Sequence, residues 1–232
     1  MKKTSLFLVI YLFLPIYLFS QDSISRKVSP FSFNTDIVSS YLWRGFQVSE
    51  LPHIQPELRF SKGNFEVGCW ATQSINGNYS ELDLYACYSK GAFTFMLADY
   101  YTFTDNPEKS YFSYSKKSTN HSLEGSVLFE GPEKFPLSLL LSTYIYGNDR
   151  DTMGTNYYST YVELLYSLKN FDFTLGATPF EGLYADTYGI VNVGIRYNKE
   201  MKISENLALP VYFSIVANPY SEKFYFVVGI TI

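Results

Sequence analysis

A thiol beside an indole, two histidines and a scatter of carboxylates are the side chains here that could do chemistry. Cys69 and Trp70 sit together in FEVGCWAT, residues 65–72, and the second cysteine is Cys87. A disulfide, a metal site or a catalytic thiol would each need partners at set distances. No His or Cys cluster has metal-ligand spacing, and two cysteines are far from a disulfide framework, so neither a metal nor a cofactor is expected. His53 and His121 are the imidazoles available as a general base, and His121 directly precedes Ser122. Neighbours on a strand point to opposite faces, so that pair cannot share a site without a bulge. What remains is carboxylates such as Glu81 and Asp83, two residues apart and therefore on one face of a strand.

The elements that carry these groups are strands. The chain is 19% aromatic, with 22 Tyr and 20 Phe, yet its mean hydropathy is only −0.05, so apolar residues must be hidden in a pattern. From Phe31 to Trp43 the odd positions carry Phe31, Phe33, Ile37, Tyr41 and Trp43 while the even ones include Ser32, Asn34 and Asp36. That is period two. The same alternation gives apolar faces at Ile54, Leu58 and Phe60; Phe65, Val67 and Cys69; Leu123, Val127 and Phe129; Leu137, Leu139 and Leu141; and Phe171, Phe173 and Leu175. Val191, Val193 and Ile195 form another, and Phe224, Phe226, Val228, Ile230 and Ile232 form the last. The stretch Phe93 to Phe103 is ambiguous, because Asp99 shares parity with Phe93, Phe95 and Leu97. No helical pattern of useful length follows the N-terminal apolar run.

The pattern predicts an all-β fold, a transmembrane antiparallel up-and-down β-barrel of about twelve strands of about ten residues, the length a tilted membrane-crossing strand requires. Connections alternate between tight turns, such as Lys62-Gly63-Asn64, and longer loops, such as Thr104 to Thr119; Asn198 to Asn206 is a longer turn on the short side. A secreted β-sandwich also alternates. Against it stand the charge-free face on nearly every strand, the rings near strand ends, and a final strand reaching Ile232, which can close on the first so that no edge is left unpaired in hydrocarbon.

The N-terminus fits export. Lys2 and Lys3 precede an apolar run from Leu6 to Phe19, too short to span a bilayer, so residues 1–20 read as a signal peptide. Residues 21–30 are then a short periplasmic segment and 31–232 the barrel, placed in the outer membrane of a Gram-negative envelope. Expected partners are outer-membrane lipid, the barrel-assembly machinery during biogenesis, and small polar or cationic solutes. A formal net charge of −4 without a basic cluster gives no case for nucleic acid.

SFNTDIVSSYLWRGFQVSELPHIQPELRF followed by FEVGCWAT resembles the start of the TorF-type porin family, also labelled Gcw, through Tyr41, Arg44, Gly45, Pro52, Gln55, Gly68 and Trp70. The late ALPVYFSIVANP is similar to that family's penultimate strand. The resemblance implies an outer-membrane β-barrel with a transport role. It supplies neither a substrate nor site residues.

Parity assigns the lumen-lining set. It comprises Asp36, Glu57, Glu66, Glu81, Asp83, Glu124, Glu163 and Asp172, the arginines Arg44, Arg59 and Arg196, and rings such as Trp70, Tyr85, Tyr144, Tyr146 and Tyr161. Eight acids against three arginines predict a narrow acidic lumen that favours small polar or cationic solutes. The same charges could instead pair into a network that plugs a structural or adhesive barrel. A lipase-type enzyme in the barrel wall is the remaining class, disfavoured by the opposite directions of His121 and Ser122; the chain is read as a non-enzyme. Gly68 is expected to leave room for a neighbouring ring, and Cys69 to face outward, away from Cys87.

Overall fold

The computed structural model describes residues 29–103, 110–115, 119–205 and 207–232. The expected signal peptide and most of the segment after it lie outside the described residues. Fourteen strands follow one another among the described residues: β1 (Phe31–Val38), β2 (Tyr41–Trp43), β3 (Phe46–Ser49), β4 (His53–Lys62), β5 (Phe65–Ser74), β6 (Ser80–Lys90), β7 (Phe93–Thr102), β8 (His121–Glu130), β9 (Leu137–Gly147), β10 (Thr160–Leu168), β11 (Phe171–Thr178), β12 (Gly189–Ser204), β13 (Leu207–Asn218) and β14 (Lys223–Thr231). Twelve of them form a closed antiparallel barrel, β1 and β4 to β14 in chain order, with β14 returning to β1. The expected all-β barrel and its strand number are what the chain forms.

Closure is narrow. β1 pairs with β4 over eight residues, Phe31↔Phe60 to Val38↔His53, but with β14 over only Asp36↔Thr231 to Val38↔Gly229. Backbone bonds between Thr35 and Ile232, at 3.0 and 2.9 Å, and from Ser39 N to Val228 O, at 2.8 Å, extend the seam. The ring is thereby closed, and along this stretch the seam amides of β1 and β14 are paired with each other.

The alternation sorts the wall into two faces. Phe65, Val67, Phe93, Phe95, Leu97, Phe171, Phe173, Leu175, Phe224 and Phe226 are exposed on the outside, while Thr72, Glu81, Asp83, Glu124, Ser126 and Ser142 are buried.

Four sequence expectations change. The strand read as Phe31 to Trp43 ends at Val38, and Tyr41–Trp43 instead pairs with Phe46–Ser49 as a separate two-stranded hairpin. The long turn at 198–206 is largely strand, because β12 and β13 stay paired out to Ser204↔Leu207. Val191 is fully buried because a bulge between Gly176 and Ala177 on β11 pairs them with Asn192 and Ile190 on β12 and skips Val191. Tyr146 pairs with outward Leu123 because Ile145 bulges out of β9, so Tyr146 leaves the interior while Tyr144 stays in it. A bulge inserts one residue and so reverses parity beyond it.

Asp99 is also resolved. It keeps the outward parity but lies at the loop end of β7, where its Oδ1 contacts His121 Nδ1 at 2.8 Å and its Oδ2 accepts from the Tyr114 hydroxyl at 2.8 Å. Tyr114 stacks on His121 with centroids 3.9 Å apart, and Tyr101 packs at 4.6 Å. The acid is thus covered by the connection that follows β7. Burial and the Asp99 bond push the Tyr114 hydroxyl up to about 12.

Candidate functional site

The β2–β3 hairpin sits in the connection between β1 and β4 and crosses the barrel interior. Its two-residue turn is Arg44-Gly45, with φ of 47° and 82°. Two positive φ values make the tight hairpin turn whose twist matches its strands, and a glycine at the second position suits it. Gly45 is required for a second reason. A Cβ there would lie 1.9 Å from the Val191 carbonyl oxygen, so only a bare backbone can sit this close to β12. Asn218 of β13 donates its Nδ2 to the Gly45 carbonyl at 3.1 Å and fixes the tip from the other side.

Arg44 completes the anchorage. Its guanidinium makes a two-pronged contact with Glu124 of β8, Nη1 to Oε2 at 2.5 Å and Nη2 to Oε1 at 2.8 Å. It also donates to the Tyr184 hydroxyl at 2.5 Å and to Ser142 Oγ on β9 at 3.0 Å. Trp43 and Tyr161 offer their ring faces at 4.6 and 4.8 Å. The side chains of Arg44 and Glu124 are 9% and 0% exposed, so this is a buried pair. Burial pulls the arginine pKa down, but the bond to Glu124 and the neighbouring Tyr184, Glu124 and Tyr100 groups together hold the value well above the ordinary one. Burial raises the Tyr184 hydroxyl despite the opposing guanidinium, which keeps it protonated. Around the pair, Tyr144, Tyr161, Tyr184, Ala185 and Val191 form a buried cluster, with Trp43, Phe46, Tyr100 and Leu140 packed against it.

The hairpin divides the interior. On the side of the short turns lies a cavity of about 620 Å³, and on the side of the long loops one of about 420 Å³. Tyr41, Trp43 and Tyr100 border both.

Of the residues expected in the lumen, Asp36, Arg44, Glu57, Trp70, Asp83, Tyr85, Glu163, Asp172 and Arg196 border the larger chamber, and Glu81 borders the smaller. Glu124 and Tyr161 lie under the hairpin, in neither chamber. Arg59 and Glu66 sit nearer the short-turn end, Arg59 Nε 3.4 Å from Glu57 Oε2 and Glu66 accepting from Ser61 Oγ at 2.8 Å. Arg44 is reached through the hairpin rather than the wall. The parity assignment misses Ser142, Tyr184, Val191 and Asn218, none of which stands out by type; the Arg-Gly pair between two apolar triplets is the signal that could have flagged the hairpin.

Most of the chamber acids are held by neutral donors. Asp36 accepts from Thr231, Asp172 from Ser167 and Asn198, Glu163 from Tyr161 and Asn192, and Glu57 from the Tyr85 hydroxyl at 2.6 Å. On the opposite wall Arg196 lies 4.3 Å over the Tyr212 ring. Gly68 makes room for Tyr85, whose Cζ would sit 2.2 Å from an added Cβ. Cys69 pairs across strands with Leu84 and Cys87 with Glu66, so the thiols are not lateral neighbours and both are free.

His121 Nε2 contacts the Tyr111 carbonyl, and His53 Nδ1 contacts Thr72 Oγ1 at 2.7 Å. Among the described residues no serine hydroxyl bonds to either imidazole, and no group of three potential metal ligands occurs.

No protein-family model matches this chain, and no curated protein sequence does. Two solved structures of the porin of Rhodopseudomonas blastica, both triple mutants, are similar in shape, each with a TM-score of 0.41. The first is 12% identical and covers 78% of this chain and 55% of its own; the second is 13% identical and covers 84% and 61%. The chain therefore matches less than two thirds of the length of either porin. The likeness to the TorF-type family rests on the motif residues alone, of which Arg44 and Gly45 form the tip that closes on Glu124 and Val191.

Proposed function

We propose that the protein is an outer-membrane channel of the porin type that passes small polar or cationic solutes through a narrow acidic lumen. One observation carries the reading: a closed wall presents aromatic and aliphatic side chains outward and encloses a chamber of about 620 Å³ bordered by five carboxylates, two arginines and several rings. Such a surface suits hydrocarbon on one side and solvated ions on the other. Acidic side chains in a pore bias permeation toward cations. The TorF-type resemblance of the hairpin region agrees with a transport role, and the apolar N-terminal run agrees with export.

A plugged structural barrel is the second reading, favoured by the hairpin that reaches from β1 and β4 to β8, β9, β12 and β13. Planar-bilayer recording of refolded protein separates the two. The channel reading expects a small, cation-selective conductance. A folded, silent barrel supports the plug, and an anion preference overturns the acidic lumen.

A further inference from the structure

We propose that the larger chamber is a binding site for small linear ammonium ions, with Asp83 as its primary anchor and a short diamine as its best ligand. The inference deepens the channel reading by naming a solute class.

It starts from a row of inward positions across four neighbouring strands. Glu57 pairs with Trp70, Trp70 with Asp83, and Asp83 with Tyr100, so acid, ring, acid and ring alternate on β4 to β7. Tyr41 of the hairpin packs 5.6 Å from Trp70, and Trp43 stands 6.1 Å from Tyr100, which closes the row from above. A carboxylate flanked by ring faces is the chemistry that recognises an organic cation, because both attract positive charge in a site of low dielectric.

Asp83 is the second, independent observation. It is only 7% exposed and borders the chamber, and its Oδ1 has no hydrogen-bond partner among the described residues. No Lys or Arg among the described residues pairs with it, whereas Glu57 already has Arg59. The chamber holds five carboxylates against Arg44, itself bound to Glu124, and Arg196. A carboxyl group buried without a counter-charge avoids ionising, and an entering ammonium group supplies the charge that favours its carboxylate form.

The spacing favours two ammonium groups. Adjacent strands lie about 4.8 Å apart, so the Glu57 and Asp83 backbones, two strands apart, are separated by about 10 Å. A four-carbon stem can run along Trp70 with one ammonium at each acid through charge-assisted hydrogen bonds of about 2.8 Å. A cavity of about 620 Å³ is ample for such a molecule.

The chain has two tryptophans, Trp43 and Trp70, and both border this chamber, so intrinsic fluorescence reports on it directly. Refolded protein in detergent micelles is titrated with putrescine, butylamine and butanol, which share a four-carbon stem and carry two, one and no charges. A saturable change is expected for putrescine, about tenfold weaker for butylamine and absent for butanol. Asp83→Asn should reduce the putrescine affinity about tenfold, to the butylamine level. No response to putrescine up to about 100 mM, an equal response to butanol, or an unchanged Asp83→Asn affinity overturns the site. If Asp83→Asn does not fold, the ranking of the three probes on the unaltered chain decides alone. Conductance on the same preparation separates the two readings: current without a putrescine response removes the ammonium site and leaves the channel, while a saturable response without current removes the channel and leaves the site.

Discussion

Replacing Arg44 with alanine removes the guanidinium but leaves Glu124 on the wall of β8, fully buried and without its two short bonds of 2.5 and 2.8 Å. Taking one partner from a buried ion pair costs about 3–5 kcal/mol, because the other charge stays desolvated. The wall need not bear that cost. If the hairpin swings out, water reaches Glu124, so the loss falls on hairpin docking rather than on the barrel. At 1.4 kcal/mol per factor of ten, the docking equilibrium shifts toward the open arrangement by about a hundredfold to a few thousandfold. Single-channel recording should then show a larger open conductance, and acrylamide should quench Trp43 more strongly, while heat-modifiable mobility in gels stays that of a folded barrel. Pairing Arg44→Met with Glu124→Leu should restore the small conductance, since an apolar pair of similar volume replaces a buried ion pair at little or no cost. Unchanged conductance and quenching in Arg44→Ala would falsify the view that this pair holds the hairpin across the lumen.

Gly45→Ala should act through the same hairpin, since its φ of 82° and the Val191 oxygen 1.9 Å from the added Cβ force the tip away from β12; acrylamide quenching should rise, whereas Gly63→Ala, with nothing within 4 Å, should lose about 1 kcal/mol of stability and leave quenching as it was. Thiol labelling tests the two faces. With Cys87→Ser, the remaining Cys69 should react with a lipid-soluble maleimide and resist a charged, membrane-impermeant one, and with Cys69→Ser the remaining Cys87 should show the reverse; equal reactivity of both thiols toward the charged reagent contradicts the assignment. Asp99→Asn removes the charge between His121 and Tyr114, so chymotrypsin should cut faster at Tyr111 to Tyr114; a cleavage rate equal to that of the parent chain argues against this cluster as the clamp on the β7–β8 connection.

Strand periodicity made the wall readable from sequence, because each residue's face follows from its neighbours two positions away. Phe65, Val67 and Phe171 needed no partner to be placed outside, whereas Phe93, Phe95 and Leu97 stayed ambiguous until Asp99 was seen under Tyr114. The hairpin was hidden for the same reason, since Tyr41 and Trp43 continue the alternation of Phe31 and Phe33 although the chain leaves the wall after Val38. Val191 and Tyr146 were misassigned because a single bulged residue reverses parity and carries no mark in the residue types. Parity places the acids on the inward face, yet which acid has a counter-charge is a non-local matter: Arg44 meets Glu124 across 80 positions of sequence, and Asp83 meets no arginine among the described residues.

The hairpin also bears on how such a barrel is put together. Its tip rests on β8, β9, β12 and β13, yet it is carried by the chain between β1 and β4, beside a seam in which β1 and β14 share only three paired positions. A partly built wall offers Arg44 no complete seat, so the guanidinium stays in water until the later strands have curved round to meet it. Docking then ties the first third of the chain to the rest from within, across a diameter, where the seam ties it only at the rim. The hairpin thus braces the wall from within, and loosening it should weaken the closure of the ring.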